Sequence, residues 1–392
     1  MSVVPRAPRL PVIIASVGVV VCVIGIFVDP VRLASAYLVA YLSCLAVVLG
    51  ALAMIMIARV TAATWFVALR RQAEEVAATL PMFALLFVPI LVWSRVLYPW
   101  ASRVPLRDPH VREAVIAKAA YLNLPFFAIR SVAYLAVWIV LGELLRRASL
   151  AQDRGDSASI ERRMRTLSAV GLIAFALTVS FAAFDWMMSL TPAWYSTIYG
   201  VNYFAGAMVG AVSLLTVLVA RGRWRGELPV SLSVDHFHAL AKLLLTFVLF
   251  WVYIGFSQLI VIWSAEIPAE RVWYVVRMRG GWNLLGGVLV AGHFALPFCA
   301  LLVRAIKRSP LAMSCIGVWL LIMHYLDIYW NVMPAAPKGG GANWAGGFWL
   351  DVGALLLVGG LASVTWALRR TNEPAIPVGD AEIAASLSYS TE

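Results

Sequence analysis

Residues 181–204 read FAAFDWMMSLTPAWYSTIYGVNYF, the end of one apolar segment and the start of the next, with a single acid inside. Asp185 stands between Phe184 and Trp186 in the first of these segments. An ionised carboxylate there is costly in lipid unless another group compensates its charge. The stretch therefore predicts two consecutive membrane helices and a partner for Asp185 elsewhere in the chain.

Composition places the whole chain in the membrane. Of its 392 residues, 62% are hydrophobic and only 13% are charged, which is far from the balance of a soluble domain. Apolar runs of about twenty residues recur, each long enough to cross a hydrocarbon core of roughly 30 Å as a helix. The alternating pattern of membrane β-barrels is lacking. These features predict an all-α polytopic membrane protein.

Ten spans can be delimited within one transmembrane domain, residues 1–370. They cover roughly residues 10–28, 34–57, 81–98, 119–145, 166–190, 194–220, 239–263, 281–303, 311–330 and 348–368. Residues 61–80 mix apolar and charged side chains, which predicts an amphipathic helix lying at the membrane interface. Residues 371–392 are polar and acidic, and we expect them to form a disordered tail.

Positive charge is distributed unevenly between the two sides. With ten spans, both ends of the chain face the same side, which carries 19 of the 31 Lys and Arg residues; ten face the other side and two fall within spans. The positive-inside rule then predicts cytoplasmic N- and C-termini. Basic loops facing anionic lipid also explain the net charge of +11, so we expect no nucleic-acid partner.

The two halves of the chain share short motifs. Asp185 to Pro192 (DWMMSLTP) closes span five, and Asp327 to Pro334 (DIYWNVMP) closes span nine with the same spacing; the tripeptide LPF occurs at residues 124–126 and 296–298. The corresponding helices are four spans apart and point the same way. This pattern predicts two parallel-repeat four-helix bundles, spans 2–5 and 6–9, flanked by spans 1 and 10.

Several ionisable residues fall inside the predicted spans. Asp185, His324 and Asp327 lie toward the outer ends of their spans, and His293 lies near the middle of span eight. His324 and Asp327 share a helix face, and an acid that orients an imidazole suits a proton carrier. We predict that these four residues handle protons, in the vicinity of any bound quinone, with Arg130 as a counter-ion.

A second polar group lies near the cytoplasmic ends of the spans and consists of Glu143, His238 and Lys242. These residues are positioned for protons to enter from the cytoplasm, but contact with water or helix capping explains them at least as well. The aromatic residues around the outer group are typical of an interfacial belt. Walls for a flat quinone ring are the alternative interpretation.

The sequence favours a chain without a bound redox centre. Cys22, Cys44, Cys299 and Cys315 stand singly, so a CxxC metal site, a cysteine-held cluster and a covalent haem attachment motif are all lacking. Haem b needs two imidazoles at matching depth on facing helices. Only His293 and His324 come near this, and their depths differ by roughly a helical turn.

Four motifs resemble one known family. They are FDWMMSLTPAWYSTIYGVNYFAG (184–206), WVYIGFSQLIVIWSAEIPAE (251–270), GGWN with GHFALPF (280–298) and MHYLDIYW (323–330); TAATWFVALRRQAEEVAATLP (61–81) fits as well. These motifs are similar to those of the ActF subunits of bacterial alternative complex III, the quinone-binding subunits of quinol:cytochrome c oxidoreductase. ActF subunits belong to the NrfD-like family of polysulfide-reductase membrane subunits.

The resemblance implies a ten-helix NrfD-like protein in the bacterial cytoplasmic (inner) membrane. It implies a complex with a multihaem cytochrome c, an iron–sulfur protein and a second NrfD-like subunit. Such a complex oxidises menaquinol or ubiquinol and passes electrons to cytochrome c or to a terminal oxidase. The second NrfD-like subunit is the stronger candidate for the working quinol site.

The sequence thus predicts a membrane-integral subunit of a respiratory quinol:electron-acceptor oxidoreductase with a proton-handling role. Whether menaquinone or ubiquinone binds in this chain stays open. Whether the chain itself is catalytic stays open. The alternatives are a secondary transporter, for which a parallel repeat and charges within the membrane are also typical, and a purely structural scaffold of the complex.

Overall fold

The structure, a computed structural model, describes residues 9–106, 108–155, 157–229, 232–265, 268–337, 347–370 and 373–390. Within these ranges ten helices are long and apolar enough to cross a membrane. The same ranges contain no β-strand. The prediction of an all-α polytopic membrane protein is confirmed.

Helices α1–α10 correspond to the ten predicted spans. They are α1 (Arg9–Val28), α2 (Pro30–Val60), α3 (the broken series Leu80–Leu86, Val88–Val92 and Ser94–Leu97), α4 (Leu124–Gln152), α5 (Ser157–Trp186), α6 (Tyr199–Trp224), α7 (Val234–Ala265), α8 (Trp282–Leu289, a π-helical turn Val290–Ala295, then Leu296–Leu302), α9 (Pro310–Val332) and α10 (Phe348–Arg370). Shorter helices include Val67–Ala77, Pro109–Ala117, Pro268–Arg277 and Ile383–Leu387.

Local sequence explains where several of these helices begin. The side chains of Asp29, Asn123 and Ser309 accept a hydrogen bond from the backbone N–H three residues later, and each is followed within two residues by a proline. Such caps satisfy a backbone donor that has no partner inside the helix. In α3, Pro89 lacks a backbone donor, which accounts for the break between Leu86 and Val88, whereas Pro81 lies in the first turn, where the donor is not needed.

The helices pack as two similar units around α2 and α6. α2 packs on α3 and α5, and α6 packs on α7 and α9, while α4 lies on α5 as α8 lies on α9. Between the units, α2 packs on α6. In addition, α2 packs on α9, and α6 packs on α5 in the equivalent way. α1 and α10 pack on each other outside the units. This packing agrees with the predicted repeat of spans 2–5 and 6–9.

Two ends of the bundle matter below. We call the end where residues 373–390 pack the tail end; it holds the last turns of α2, α4 and α10. The opposite end, where α5 and α9 finish just after Asp185 and Asp327, is the aspartate end.

The central crossing of α2 and α6 depends on a close backbone approach at Gly50. A Cβ atom there would overlap the carbonyl oxygen of Ala207 and lie 2.7 Å from the Cβ of Ala211. Small residues at a helix crossing allow membrane helices to approach closely and gain packing energy.

Gly50→Ala is expected to lower the free energy of unfolding by about 1–3 kcal/mol, because the two helices must move apart to admit the methyl group. Thermal unfolding of the detergent-solubilised protein, followed by tryptophan fluorescence, measures the loss. Gly359→Ala is the matched control, since the nearest atom to a Cβ there is the Cys44 sulfur at 3.9 Å. Equal stability of the two variants would contradict the crossing described here.

The helix Val67–Ala77 differs from the predicted interfacial helix because all 11 of its residues are buried. Its charged side chains reach partners on other parts of the chain: Arg71 pairs with Asp153 (2.5 Å), Arg70 with Asp380 (2.7 Å) and Glu75 with Arg370 (3.4 Å). The amphipathic pattern was visible in the sequence. The distant partners that permit burial were not.

Residues 373–390 also differ from expectation, since they pack on the tail end rather than lying free. Glu373 pairs with Arg146, the backbone N–H of Gly379 donates to Asp153, and the Ser386 carbonyl lies 3.0 Å from Nε2 of His236. Polar composition predicted disorder, but here the polar atoms are satisfied by buried charged partners. The remaining residues of the predicted tail, 371–372 and 391–392, lie outside the described residues.

Candidate functional site

Asp185 is held by a bidentate ion pair. Arg130 donates from Nε to Oδ2 (2.8 Å) and from Nη2 to Oδ1 (2.9 Å), and the Tyr134 hydroxyl donates to Oδ2 (2.9 Å). The carboxylate is fully buried. Arg130 is therefore the counter-ion of Asp185, as the sequence had suggested for one of the acids.

The guanidinium of Arg130 is fixed from further sides. It lies 3.8 Å from the ring centre of Tyr121 and 4.2 Å from that of Phe126, and its Nη1 donates to the Tyr121 carbonyl (2.9 Å). Stacked aromatic rings and a fork of hydrogen bonds suit arginine in a buried pair. This site neutralises its own charge and binds α4 to α5.

Asp327 has a different environment. The indole N–H of Trp251 donates to Oδ2 (3.1 Å) and the amide of Asn331 donates to Oδ1 (3.1 Å). The side chain is buried, and no Lys or Arg among the described residues lies within ion-pair distance. A carboxyl held only by neutral donors is well suited to gain and lose a proton.

The two acids nevertheless share a local feature. The side chain four residues later bonds back to the acid's own carbonyl: Ser189 Oγ to Asp185 (2.5 Å) and Asn331 Nδ2 to Asp327 (2.8 Å). The sequences around the acids thus form the same helix end twice. Among the described residues, Asp185 has a charged partner and Asp327 does not.

His324 lies one turn before Asp327 and is buried. Its Nε2 lies 3.3 Å from the Ser43 carbonyl on α2, which fixes a proton on that nitrogen, and its Nδ1 has no hydrogen-bond partner among the described residues. At Gly206 on α6, a Cβ would lie 3.4 Å from both Nδ1 of His324 and Oδ2 of Asp327. The absence of a side chain there leaves space between the two groups.

His293 lies in the π-helical turn of α8. Its ring is buried with its centre 4.0 Å from that of Trp251, and neither ring nitrogen has a hydrogen-bond partner within the part of the chain that the structure describes. Trp251 thus contacts Asp327 and His293 together. π-helical turns are frequent at functional sites.

The structure divides the predicted proton-handling residues into two groups. It brings His293, His324 and Asp327 together in the second unit and pairs Asp185 with Arg130 in the first. Among the described residues no hydrogen bond or ion pair joins the groups. Within the same residues no cluster of three or more His, Cys, Asp or Glu is placed to hold a metal ion.

A cavity of about 530 Å³ opens beside Asp327. Phe256 on α7 and Val290 on α8 line this cavity and are exposed. Its wall is mainly apolar and includes six aromatic side chains, and six polar or charged side chains also line it. Among the lining residues are Asn202, Trp251, Trp273, Arg277, Gly287, Asp327, Trp330 and Asn331.

Arg277 closes one side of this cavity from the short helix Pro268–Arg277. It lies 3.5 Å from the Trp273 ring centre and donates to the carbonyls of Asn331 (2.6 Å) and Trp330 (3.2 Å). Burial lowers the pKa of Arg277 to about 9, so the guanidinium stays charged at neutral pH. Its positive charge faces a cavity whose only described carboxyl is that of Asp327.

Sequence reasoning missed Asn331, Asn202 and Arg277, and it included Trp251 only among the aromatic residues around the outer group. Asn331 had a signal, because it lies one turn after Asp327 in the repeated motif. The other three come from α6, α7 and a short helix, and nothing in their local sequence links them to Asp327.

The predicted polar group at the other end does not form one cluster. Glu143 on α4 pairs with Arg369 (3.3 Å) and Arg147 (3.6 Å). His238 and Lys242 lie on α7, and Lys242 is exposed. His238 lies within electrostatic range of three basic residues, Arg304, Lys307 and Arg308. Glu143 thus joins α4 to α10, while α7 contributes a basic surface.

The fold and site define a polytopic helical membrane protein with a cavity beside a buried acid. No family model matches the chain, and comparison with curated proteins gives no significant match.

Proposed function

We propose that this protein is a membrane-integral subunit of a respiratory quinol:electron-acceptor oxidoreductase of the alternative complex III type, and that the cavity beside Asp327 binds the quinone. The observation that carries the proposal is the cavity itself. It combines flat aromatic side chains, exposed apolar residues and a buried carboxyl without a cationic partner among the described residues.

The residues of the cavity fit a quinol head group. A flat ring needs apolar walls, which Trp251, Trp273 and Trp330 supply, and its hydroxyls need acceptors. Asp327 is one acceptor. Asn202 is a second, since its buried Oδ1 lines the cavity and has no partner among the described residues.

Oxidation of a quinol releases two electrons and two protons. Asp327 accepts the first proton from a ring hydroxyl while Trp251 and Asn331 hold its carboxyl in place. It passes this proton to Nδ1 of His324, which has no hydrogen-bond partner among the described residues and lies, like Asp327, beside Gly206, and then accepts the second proton. His293, stacked on Trp251, completes the group. Proton handling is thus the role of this chain.

The electrons go to other subunits. The partners we propose are a multihaem cytochrome c, an iron–sulfur protein and a second NrfD-like subunit, with cytochrome c or a terminal oxidase as acceptor. We place the complex in a bacterial cytoplasmic membrane with both termini of this chain in the cytoplasm, as the Lys and Arg distribution favours.

A photoreactive azido-ubiquinone tests the site in the natively purified complex. We expect labelling of α7, α8 or α9, and its loss in Gly287→Phe, because a Cβ at Gly287 meets open space and a phenyl ring there fills the cavity. Cys299→Phe is the matched control, since Cys299 is exposed on the same helix and does not line the cavity.

Equal labelling of both variants would reject the cavity as the quinone site. Co-purification of the chain with haem-containing subunits, seen in an optical spectrum and a subunit gel, tests the assignment to a complex. Substrate counterflow by the isolated chain in proteoliposomes would instead support a secondary transporter.

A further inference from the structure

A second cavity, of about 430 Å³, lies at the tail end between α2, α5 and residues 380–382. It is far along the bundle from Asp327 and has no part in quinol chemistry. Four arginines line it: Arg59, Arg70, Arg162 and Arg165. Three carboxylates, Glu161, Asp380 and Glu382, line it as well, so the lining residues carry one positive charge in excess. Glu74, which does not line the cavity, pairs with Arg59 (3.9 Å) and Arg70 (3.2 Å).

The carboxylates of this cavity already have partners. Glu161 accepts from Nη1 of Arg59 (2.7 Å), Asp380 pairs with Arg70 (2.7 Å), and Glu382 accepts from the Thr64 hydroxyl (2.8 Å). The acids therefore hold the walls together.

Arg59 is the key residue because its guanidinium is only partly used. Its side chain is 2% exposed, yet Nε and Nη2 have no hydrogen-bond partner among the described residues. The nearest other acid, Glu74, lies 3.9 Å from Nη2, beyond hydrogen-bond distance. Buried guanidinium donors usually have an acceptor, which a bound anion or water can supply.

Arg162 and Arg165 supply two further guanidinium groups from the first turns of α5. Both side chains are exposed at the mouth of the cavity, and Arg165 reaches the Val60 carbonyl (3.3 Å) at the end of α2. Arginine forks match the oxygens of phosphate, and basic pockets between membrane helices are typical sites for phospholipid head groups.

We propose that this tail-end cavity binds a phosphate group, which Arg59 holds from inside and Arg162 and Arg165 hold from the mouth. The group belongs either to an anionic phospholipid or to free phosphate. Because residues 380–382 form one wall, the bound group joins the ends of α2 and α5 to the C-terminal segment. This inference is independent of the quinone site.

The test uses the full chain purified in detergent and freed of lipid. Tetraoleoyl cardiolipin, inorganic phosphate and dioleoyl phosphatidylcholine are titrated separately, and the midpoint of thermal unfolding is followed. The variant Arg162→Gln/Arg165→Gln removes both exposed donors and spares the buried ones. Arg163→Gln is the matched control, because Arg163 is exposed on the same helix and does not line the cavity.

We expect cardiolipin or inorganic phosphate to raise the midpoint for the unmodified protein and for Arg163→Gln, and the double variant to need about tenfold more of the same probe. A response to inorganic phosphate identifies the free anion as ligand, and a response to cardiolipin alone identifies the lipid.

Three results would overturn the proposal. They are an equal response of the double variant, an equal loss in Arg163→Gln, and a failure of both phosphate probes to exceed phosphatidylcholine. The azido-ubiquinone labelling beside Asp327 is read separately, so neither outcome decides the other.

Discussion

Asp185→Asn is expected to destabilise the protein by about 3–5 kcal/mol, because it leaves the guanidinium of Arg130 buried without its charged partner. The loss is seen as a lower midpoint of unfolding in detergent and a lower yield of folded protein. The complementary variant, Arg130→Gln, is expected to lower the stability by a similar amount, since it leaves the Asp185 carboxylate with the neutral hydroxyl of Tyr134 in place of a cation.

The double variant Arg130→Leu/Asp185→Leu separates charge from packing. Removing both charges together avoids an unpaired ion, so we expect it to be clearly more stable than either single variant. Glu227→Gln is a control for an exposed pair: Glu227 is about one-third exposed and bonds Arg370 at 2.9 Å, so its loss is expected to cost under about 1 kcal/mol. If Asp185→Asn unfolds at the midpoint of the unmodified protein, the ion pair does not stabilise the fold.

Asp327→Asn is expected to lower activity and to leave stability largely unchanged, unlike Asp185→Asn. The indole of Trp251 can donate to an amide oxygen as it does to the carboxylate, so we expect folding and assembly to survive. Turnover of quinol in the purified complex is expected to fall by about a hundredfold or more, which is the typical contribution of a positioned proton acceptor.

Quinol-dependent reduction of cytochrome c, together with proton release, measures the effect of Asp327→Asn. Glu227→Gln again serves as the control, because it lies at the tail end and touches no part of the cavity. Unchanged turnover and unchanged proton release in Asp327→Asn would leave the second unit with a structural role only.

Much of the fold follows from the sequence because a membrane helix can be recognised from the length and apolarity of its segment. The ten spans, the repeat and the helix ends at Asp185 and Asp327 come directly from residues close together in the chain. Span three shows the limit, because Pro89 breaks it after Leu86 and the continuous apolar run gives no sign of that break.

The candidate site was only half predictable. The sequence grouped Asp185 with His293, His324 and Asp327 because all four are ionisable groups near the same membrane face. Which of them carries a counter-ion depends on side chains from other helices, Arg130 on α4 in one case and Trp251 on α7 in the other. Pairing across 50 or more residues leaves no periodic signal in a single sequence.

Pairing between residues far apart in the chain also explains why the helix Val67–Ala77 and residues 373–390 differ from the predictions. Arg70 and Arg71 resemble the charged face of an interfacial helix until Asp380 and Asp153 are seen beside them. The polar segment after α10 resembles a disordered tail until its acids are matched with buried arginines. A charged residue of such an ion pair is misleading when its partner is not known.

The packing of residues 373–390 also constrains how the protein is made. A ribosome synthesises the helix Val67–Ala77 some 300 residues before Asp380, the partner of Arg70. During that interval Arg70 lacks one of its ion-pair partners, so this part of the bundle cannot reach its final state as it leaves the translocon. The charge network at the tail end can therefore be completed only after α10 has been synthesised, and a chain truncated before Asp380 would leave Arg70 without this partner.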